Sequence, residues 1–216
     1  MNQKRMMSLQ NYQVDRIGKI CFQVMIVTLV LFTLAACSKK VTRMDVEETK
    51  DLSGDWNDTD SRLVSKEMIG DVLSRPWLSD FVQKTGSKPA VIVGEIRNLS
   101  HEHIAVGTFV GDMERELINS GRVDFVASKT ERKEIREERS DQDLHASEET
   151  RKAMGQEYGA DYMLKGTINT IIDAEGDEQV KYYQVDLTLI SLVDNRKAWV
   201  GQKKIKKFVE KNKFRL

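Results

Sequence analysis

Cys37 is the residue whose type and setting point most directly to chemistry. It closes the run Leu34-Ala35-Ala36-Cys37, at the end of an apolar stretch over residues 20–34 that follows Lys4, Arg5, Arg16 and Lys19. A basic start, an apolar middle and small residues at the end are the three parts of a bacterial export signal. Cleavage between Ala36 and Cys37 would leave the Cys37 thiol as the nucleophile that accepts a lipid. The alternative is a transmembrane anchor with an incidental cysteine. The stretch is interrupted by Gln23, Thr28 and Thr33, and it falls short of the roughly 20 apolar residues that span a bilayer. Several acyl chains, at about 0.8 kcal/mol per buried methylene, would hold the rest of the chain on a membrane essentially permanently. Ser38 follows the cysteine where aspartate would favour the inner membrane, so the expected address is the outer membrane.

Other chemistry-bearing residues make weaker patterns. His101 and His103 flank Glu102 and could offer two imidazoles to one ion, but zinc needs further protein ligands and the only other histidine is His145. A turn leading into a helix is the better reading, and no metal is expected. Asp141 and Asp143 sit in a polar stretch and read as solvated loop charges rather than an acid/base pair. Gly94, Gly107 and Gly111 form neither phosphate-loop spacing and read as close-packing positions for helix on sheet. No nucleophile stands at a credible spacing from a base. No catalytic residue and no cofactor are therefore expected.

Residues 1–36 hold four basic and one acidic residue of the chain's 34 and 34, so the remainder carries a net charge of −3. That balance argues against nucleic acid as a partner, which calls for a basic excess. Cys21 lies in the apolar stretch and Cys37 is the lipid site, so no disulfide can form within the remaining 180 residues. Their number suffices for one domain with its own core. The expected organisation is a signal peptide over 1–36, a short tether over 37–60 and a domain over 61–216.

The elements that must position these residues follow from periodicity. Val64, Met68 and Val72, with Leu63, Ile69 and Leu73 beside them, predict an amphipathic helix over 61–75. Pro76 ends it or opens the next, whose buried side is Trp77, Phe81 and Val82 up to Gly86. Residues 90–96 read as a central strand. Val106, Phe109, Val110, Met113 and Leu117 then keep helical rhythm up to Gly121, and a short strand follows over 123–127.

Residues 130–141 are dominated by charge, with Ile135 the only strongly apolar member, so a helix there must lie on the surface. Ser147 reads as the N-cap of a further helix running to Tyr158. Alternation over 162–170, 183–189 and 198–205, with turns at 175–177 and 194–195, predicts an antiparallel meander. The fold class is thus α/β, with a small, mixed, mostly antiparallel sheet flanked by helices.

Two charge clusters carry a choice. Lys203, Lys204, Lys206, Lys207, Lys211, Lys213 and Arg215 either meet anionic headgroups, cell-wall polymer or an acidic partner, or simply protect a solvated edge strand; the second reading is favoured. Arg132, Arg136 and Arg139 are either a partner-binding surface or an exposed helix face.

In order along the chain stand Trp56-Asn57-Asp58, Pro89-Ala90-Val91-Ile92-Val93-Gly94, Arg97-Asn98, and Leu117-Ile118-Asn119-Ser120-Gly121-Arg122-Val123. After them come Gly159-Ala160-Asp161-Tyr162-Met163-Leu164-Lys165-Gly166, Tyr183-Gln184-Val185-Asp186-Leu187 and Trp199-Val200-Gly201. Behind a lipid-attachment motif, this series resembles the LpoB-type activators of penicillin-binding proteins. The resemblance implies a domain similar to the N-terminal domain of TolB. It also implies a non-enzymatic lipoprotein of the outer membrane that contacts a class A penicillin-binding protein in the periplasm and stimulates peptidoglycan synthesis. The long proline-rich linker of enteric members is absent, since Pro76 and Pro89 both fall inside the domain. A second expectation, from another class, is a structural subunit of an envelope secretion or assembly complex, because CsgG-like lipoproteins share this type of domain.

Overall fold

The computed structural model describes residues 25, 40–46, 48–152 and 155–210. Ala36, Cys37, the apolar stretch and Lys211, Lys213 and Arg215 lie outside the described residues, apart from Met25. The chain divides into two compact units, Met1–Glu48 and Thr49–Leu216. The second holds the fold. Among the described residues no helix is long and apolar enough to cross a membrane.

Helix α1 spans Asp58–Ser74 and opens on a reciprocal cap. The Asn57 side chain accepts from the Asp60 N–H at 3.1 Å, and the Asp60 carboxylate accepts from the Asn57 N–H at 3.0 Å. Arg75 is extended, as a residue before proline must be, and Pro76 starts α2 (Pro76–Thr85), which stops at left-handed Gly86. Strand β1 (Ala90–Asn98) is buried on both faces through its first four residues, the pattern of a central parallel strand. Helix α3 (Val106–Asn119) buries Phe109, Met113 and Leu117. Then come β2 (Asp124–Phe125), α4 (Lys129–His145), β3 (Tyr162–Glu175), β4 (Glu178–Ser191) and β5 (Lys197–Glu210).

The sheet runs β2-β1-β3-β4-β5. β1 is parallel to both β2 and β3, and β3, β4 and β5 are antiparallel. Helices α1 and α3 pack against each other over one face, α1 meeting β5 and α3 meeting β1. The main core joins Val64, Met68 and Val72 of α1 and Phe109 and Met113 of α3 to Val91, Leu164, Ile168, Val185, Leu187 and Leu189 of the sheet. Trp77 and Phe81 of α2 meet the Tyr162 ring edge-on. On the opposite face, Ala90 and Ile92 form a smaller cluster with Val126. This is the mixed, mostly antiparallel sheet with flanking helices that the residue periodicity predicts.

Several details differ. The helix expected from Ser147 is not formed among the described residues; 147–150 make a single turn and 155–160 have no regular structure. Ser147 spends its hydroxyl on Thr150, and Tyr158 is the only large apolar side chain in 155–160. Over 155–160 a helix would have little apolar surface to bury. The three long strands also extend past the expected ends, to Glu175 and Glu210, because the turn at Gly176 (φ 61°) keeps the ladder in register to the pair Glu175 and Glu178. Gly107 and Gly111 have open space where a side chain would stand, so they do not serve close packing; Gly94 lies against Met163.

Residues 51–55, read from sequence as solvated tether, pack together with Trp56 on the sheet end formed by β4 and β5. Trp56 meets Phe109 and Tyr183 edge-on, and Gly54 (φ +72°) sits where any side chain would collide with Val209. Two lysines fix this segment. Lys181 bonds Asp55 and, at 2.8 Å, Glu102. Lys207 reaches Asp51 at 3.0 Å and buried Asp60 at 2.6 Å.

The titration of these groups gives a testable profile. The hydrogen bond from Lys207 holds the Asp51 carboxyl below its usual range, and that from Lys181 does the same for Asp55. Their stabilisation is complete above the ordinary aspartate value and is lost as pH falls below about 4. Burial pulls Lys181 and Lys207 down, but hydrogen bonds to their carboxylates outweigh it and both are raised. Their contribution is complete below about pH 10.4 and is lost above it. Thermal melts followed by circular dichroism are expected to show a level Tm between about pH 5 and 9, falling on both sides; an unchanged Tm down to about pH 2 would contradict the network.

Candidate functional site

Helix α4 is the part of the domain that its own core does not use. It opens on a cap in which Ser128 and Glu131 satisfy each other's backbone N–H groups at 3.3 and 2.7 Å, and none of its residues is buried. A helix held by capping and surface charge alone gains little from packing. Outside the core it is tied by the Lys152 N–H, which donates to the Gln142 side chain at 3.2 Å, and by one charged side-chain pair from further along the chain.

Arg132, Arg136 and Arg139 fall at helical spacing on one side of α4 and have different partners. Arg136 grips Glu157 with two bonds, Nε at 2.6 Å and Nη2 at 2.7 Å, the forked geometry that gives such pairs their directionality. That grip holds the Glu157 carboxyl below its usual range, with Arg132 and Arg139 adding from further off. It draws residues 156–158 alongside the helix. Between them lies a groove of about 420 Å³, walled by Phe125, Val126, Ile135 and Tyr158 and by the half-buried Arg132 and Arg139.

Neither Arg132 nor Arg139 has a carboxylate within ion-pairing distance among the described residues. Arg132 Nε is shielded from solvent with no hydrogen-bond acceptor, a costly state for a cation. Asp124 also lines the groove. Across the α4 ridge lies a second hollow of about 560 Å³, rimmed by Glu131, Glu134, Glu138 and Gln142. Arg139 and Lys152 line that hollow too, so both sides of α4 carry mixed charge; Arg132 faces the first groove alone and Arg139 borders both.

The remaining sequence-singled residues land elsewhere. His101 and His103 are exposed while Glu102 between them turns inward; the described residues contain no cluster that could hold a metal ion. Asp141 and Asp143, expected in a loop, lie exposed in the last turns of α4. The lysine strand is divided. Lys203 and Lys207 face the helices and pair with Glu67 and with Asp51 and Asp60, and Lys204 and Lys206 are exposed. Among the described lysines of that expected solvated edge, two thus pair back onto the domain.

Sequence reasoning missed Glu102. Its carboxylate accepts from Tyr183 at 2.7 and 2.8 Å, from Lys181 at 2.8 Å and from the Trp56 N–H at 3.1 Å. Burial and this carboxylate push the Tyr183 phenol up. The only signal was its place between two polar residues after a strand, which says nothing of partners 46 and 81 residues away.

Comparison with known proteins supplies the context. No curated protein matches the chain significantly. Among solved structures, the lipoprotein GNA1162 from Neisseria meningitidis is 16% identical, covers 56% of this chain and 83% of its own, and has a TM-score of 0.34. The LpoB C-terminal domain from Escherichia coli is 14% identical, covers 62% and 100%, and has a TM-score of 0.33. The PelC dodecamer from Paraburkholderia phytofirmans is 15% identical, covers 56% and 74%, and has a TM-score of 0.30. The family model described as peptidoglycan-synthase activator LpoB matches residues 60–205, a span that runs from the first turn of α1 into β5. The chain belongs to the LpoB family of peptidoglycan-synthase activators, a regulatory family rather than a catalytic one.

Proposed function

We propose that this chain is a non-enzymatic lipoprotein of the outer membrane, held by acyl chains on Cys37. Its periplasmic domain binds a class A penicillin-binding protein and activates it allosterically. Residues 1–36 are the signal peptide. With residues 51–56 docked on the domain, the free tether is limited to residues 37–50. An extended chain of that length reaches at most about 50 Å, so the domain works near the membrane that carries it. Activation requires tighter binding to the synthase's active conformation than to its inactive one, since equal affinity for both shifts nothing.

The observation that supports this reading best is α4, a 17-residue helix with no buried residue whose arginines line an open groove. Arg132 and Arg139 are assigned the partner contact, and Arg136 positions the groove wall through Glu157.

Two measurements test the proposal. Affinity capture on the full chain from detergent-solubilised envelopes of its own host is expected to recover a bifunctional peptidoglycan synthase. Recovery of secretion or assembly components alone would overturn that and favour a structural subunit. Labelled palmitate is expected to enter the wild-type chain and not Cys37→Ser, and equal labelling would mean that Cys37 carries no acyl anchor.

A further inference from the structure

The groove beside α4 has an open strand edge as well as cationic walls. β2 is the outermost strand of the sheet on that side. It is tied to β1 by the Asp124 N–H donating to the Pro89 carbonyl at 3.0 Å and the Val126 N–H donating to the Val91 carbonyl at 2.9 Å. Successive residues of a strand direct their main-chain groups to opposite sides. The N–H and C=O of Phe125 therefore point away from β1, and Phe125 lines the groove.

We infer that this groove takes an extended acidic peptide segment of the partner protein, laid along β2 as an added strand, with its carboxylates on Arg132 and Arg139 and an apolar side chain between Ile135 and Tyr158. The inference rests on the reading of α4 as the partner-binding surface and adds the chemistry of what binds there. Main-chain bonds to an open edge give such complexes their affinity, and alternate side chains give specificity.

Spacing and charge both limit the occupant. Arg132 and Arg139 are seven residues apart on a helix, about 10.5 Å along its axis. Residues i and i+4 of a strand share a face and lie about 13 Å apart, within reach of two long arginine arms. Residue i+2 lies between them on the same face, opposite Ile135. The expected pattern is acidic, any, apolar, any, acidic. A basic segment is disfavoured by the two guanidinium groups, which have no ion-paired carboxylate of their own. Asp124 and Glu157 also line the groove, but Glu157 is already committed to Arg136.

The test uses the full chain in mild detergent and a fluorescein-labelled heptapeptide, Gly-Glu-Thr-Leu-Thr-Glu-Gly, with binding read by anisotropy. Binding is expected to weaken at least about tenfold for Arg132→Glu or Arg139→Glu and further for the pair. The same loss is expected when lysine replaces both peptide glutamates. N-methylation of alternate peptide nitrogens is expected to abolish binding in one of its two registers and to spare the other. α4 contributes nothing to the core, so circular dichroism of the variants should match wild type. No binding up to about 1 mM, equal binding by the charge-reversed variants, or indifference to N-methylation in both registers would overturn the inference. If the full chain stimulates a synthase yet the peptide fails, only this inference falls. If the peptide binds and no synthase is stimulated, the proposed function falls.

Discussion

A chain cut to begin at Ser61 is expected to melt about 10–20 °C below one that begins at Thr49. The polarity of residues 49–60 invites the shorter cut, and the structure shows its cost. It removes the Trp56 ring from its contacts with Phe109 and Tyr183, and half-burying such a ring is worth about 2 kcal/mol. It removes the Asn57 and Asp60 cap of α1, worth about 1 kcal/mol. It also strips Lys207, whose side chain is 11% exposed, of both its carboxylates, and a buried charge left without a partner costs a few kcal/mol more. The sum of about 5 kcal/mol approaches the whole stability of an ordinary domain. At roughly 2–4 °C per kcal/mol for this size, the shift follows. Thermal melts of the two chains measure it; coincident melts would show that residues 49–60 lie on the domain without holding it.

Glu102→Ala is expected to cost about 3–5 kcal/mol, the largest effect of any single exposed-looking position in the sequence. Its carboxylate is the one acceptor shared by Lys181, the Tyr183 hydroxyl and the Trp56 N–H. Lys181 and Glu102 are 10% and 15% exposed at their side chains, so deletion leaves a mostly buried ammonium to rely on Asp55 alone, at the domain edge. Replacing both members, Glu102→Ala with Lys181→Met, should recover much of the loss, because an apolar pair carries no unpaired charge. Urea unfolding of the two single variants and the double variant gives the coupling directly. Additive losses would mean that the two groups act independently.

Local patterns foretold most of the fold. Val64, Met68 and Val72 at intervals of four, and the alternation through Tyr183, Val185, Leu187 and Leu189, each declare which side is buried without reference to the rest of the chain. Contacts between distant segments left no such trace. Glu102 and Lys181 are 79 residues apart, and Lys207 and Asp51 are 156 apart, so each reads in isolation as an ordinary surface charge. The same holds at the groove. Arg132, Arg136 and Arg139 were legible as one exposed helix face, but Glu157, which decides where the groove's far wall lies, sits in a segment whose helix-like composition suggested another element. Ser147 failed as a cap for the same reason, since a local signal for starting a helix needs an apolar side that tertiary structure will bury.

If the domain shifts a synthase toward its active conformation, the effect must show in the initial rate of glycan polymerisation by the purified class A synthase of the same cell, measured with increasing amounts of the full chain. A saturable rise is expected with the wild-type chain, a much weaker rise with Arg132→Glu/Arg139→Glu, and no polymer from the chain alone. A rate that stays flat while the chain is demonstrably bound, or an equal rise with both chains, would contradict this expectation.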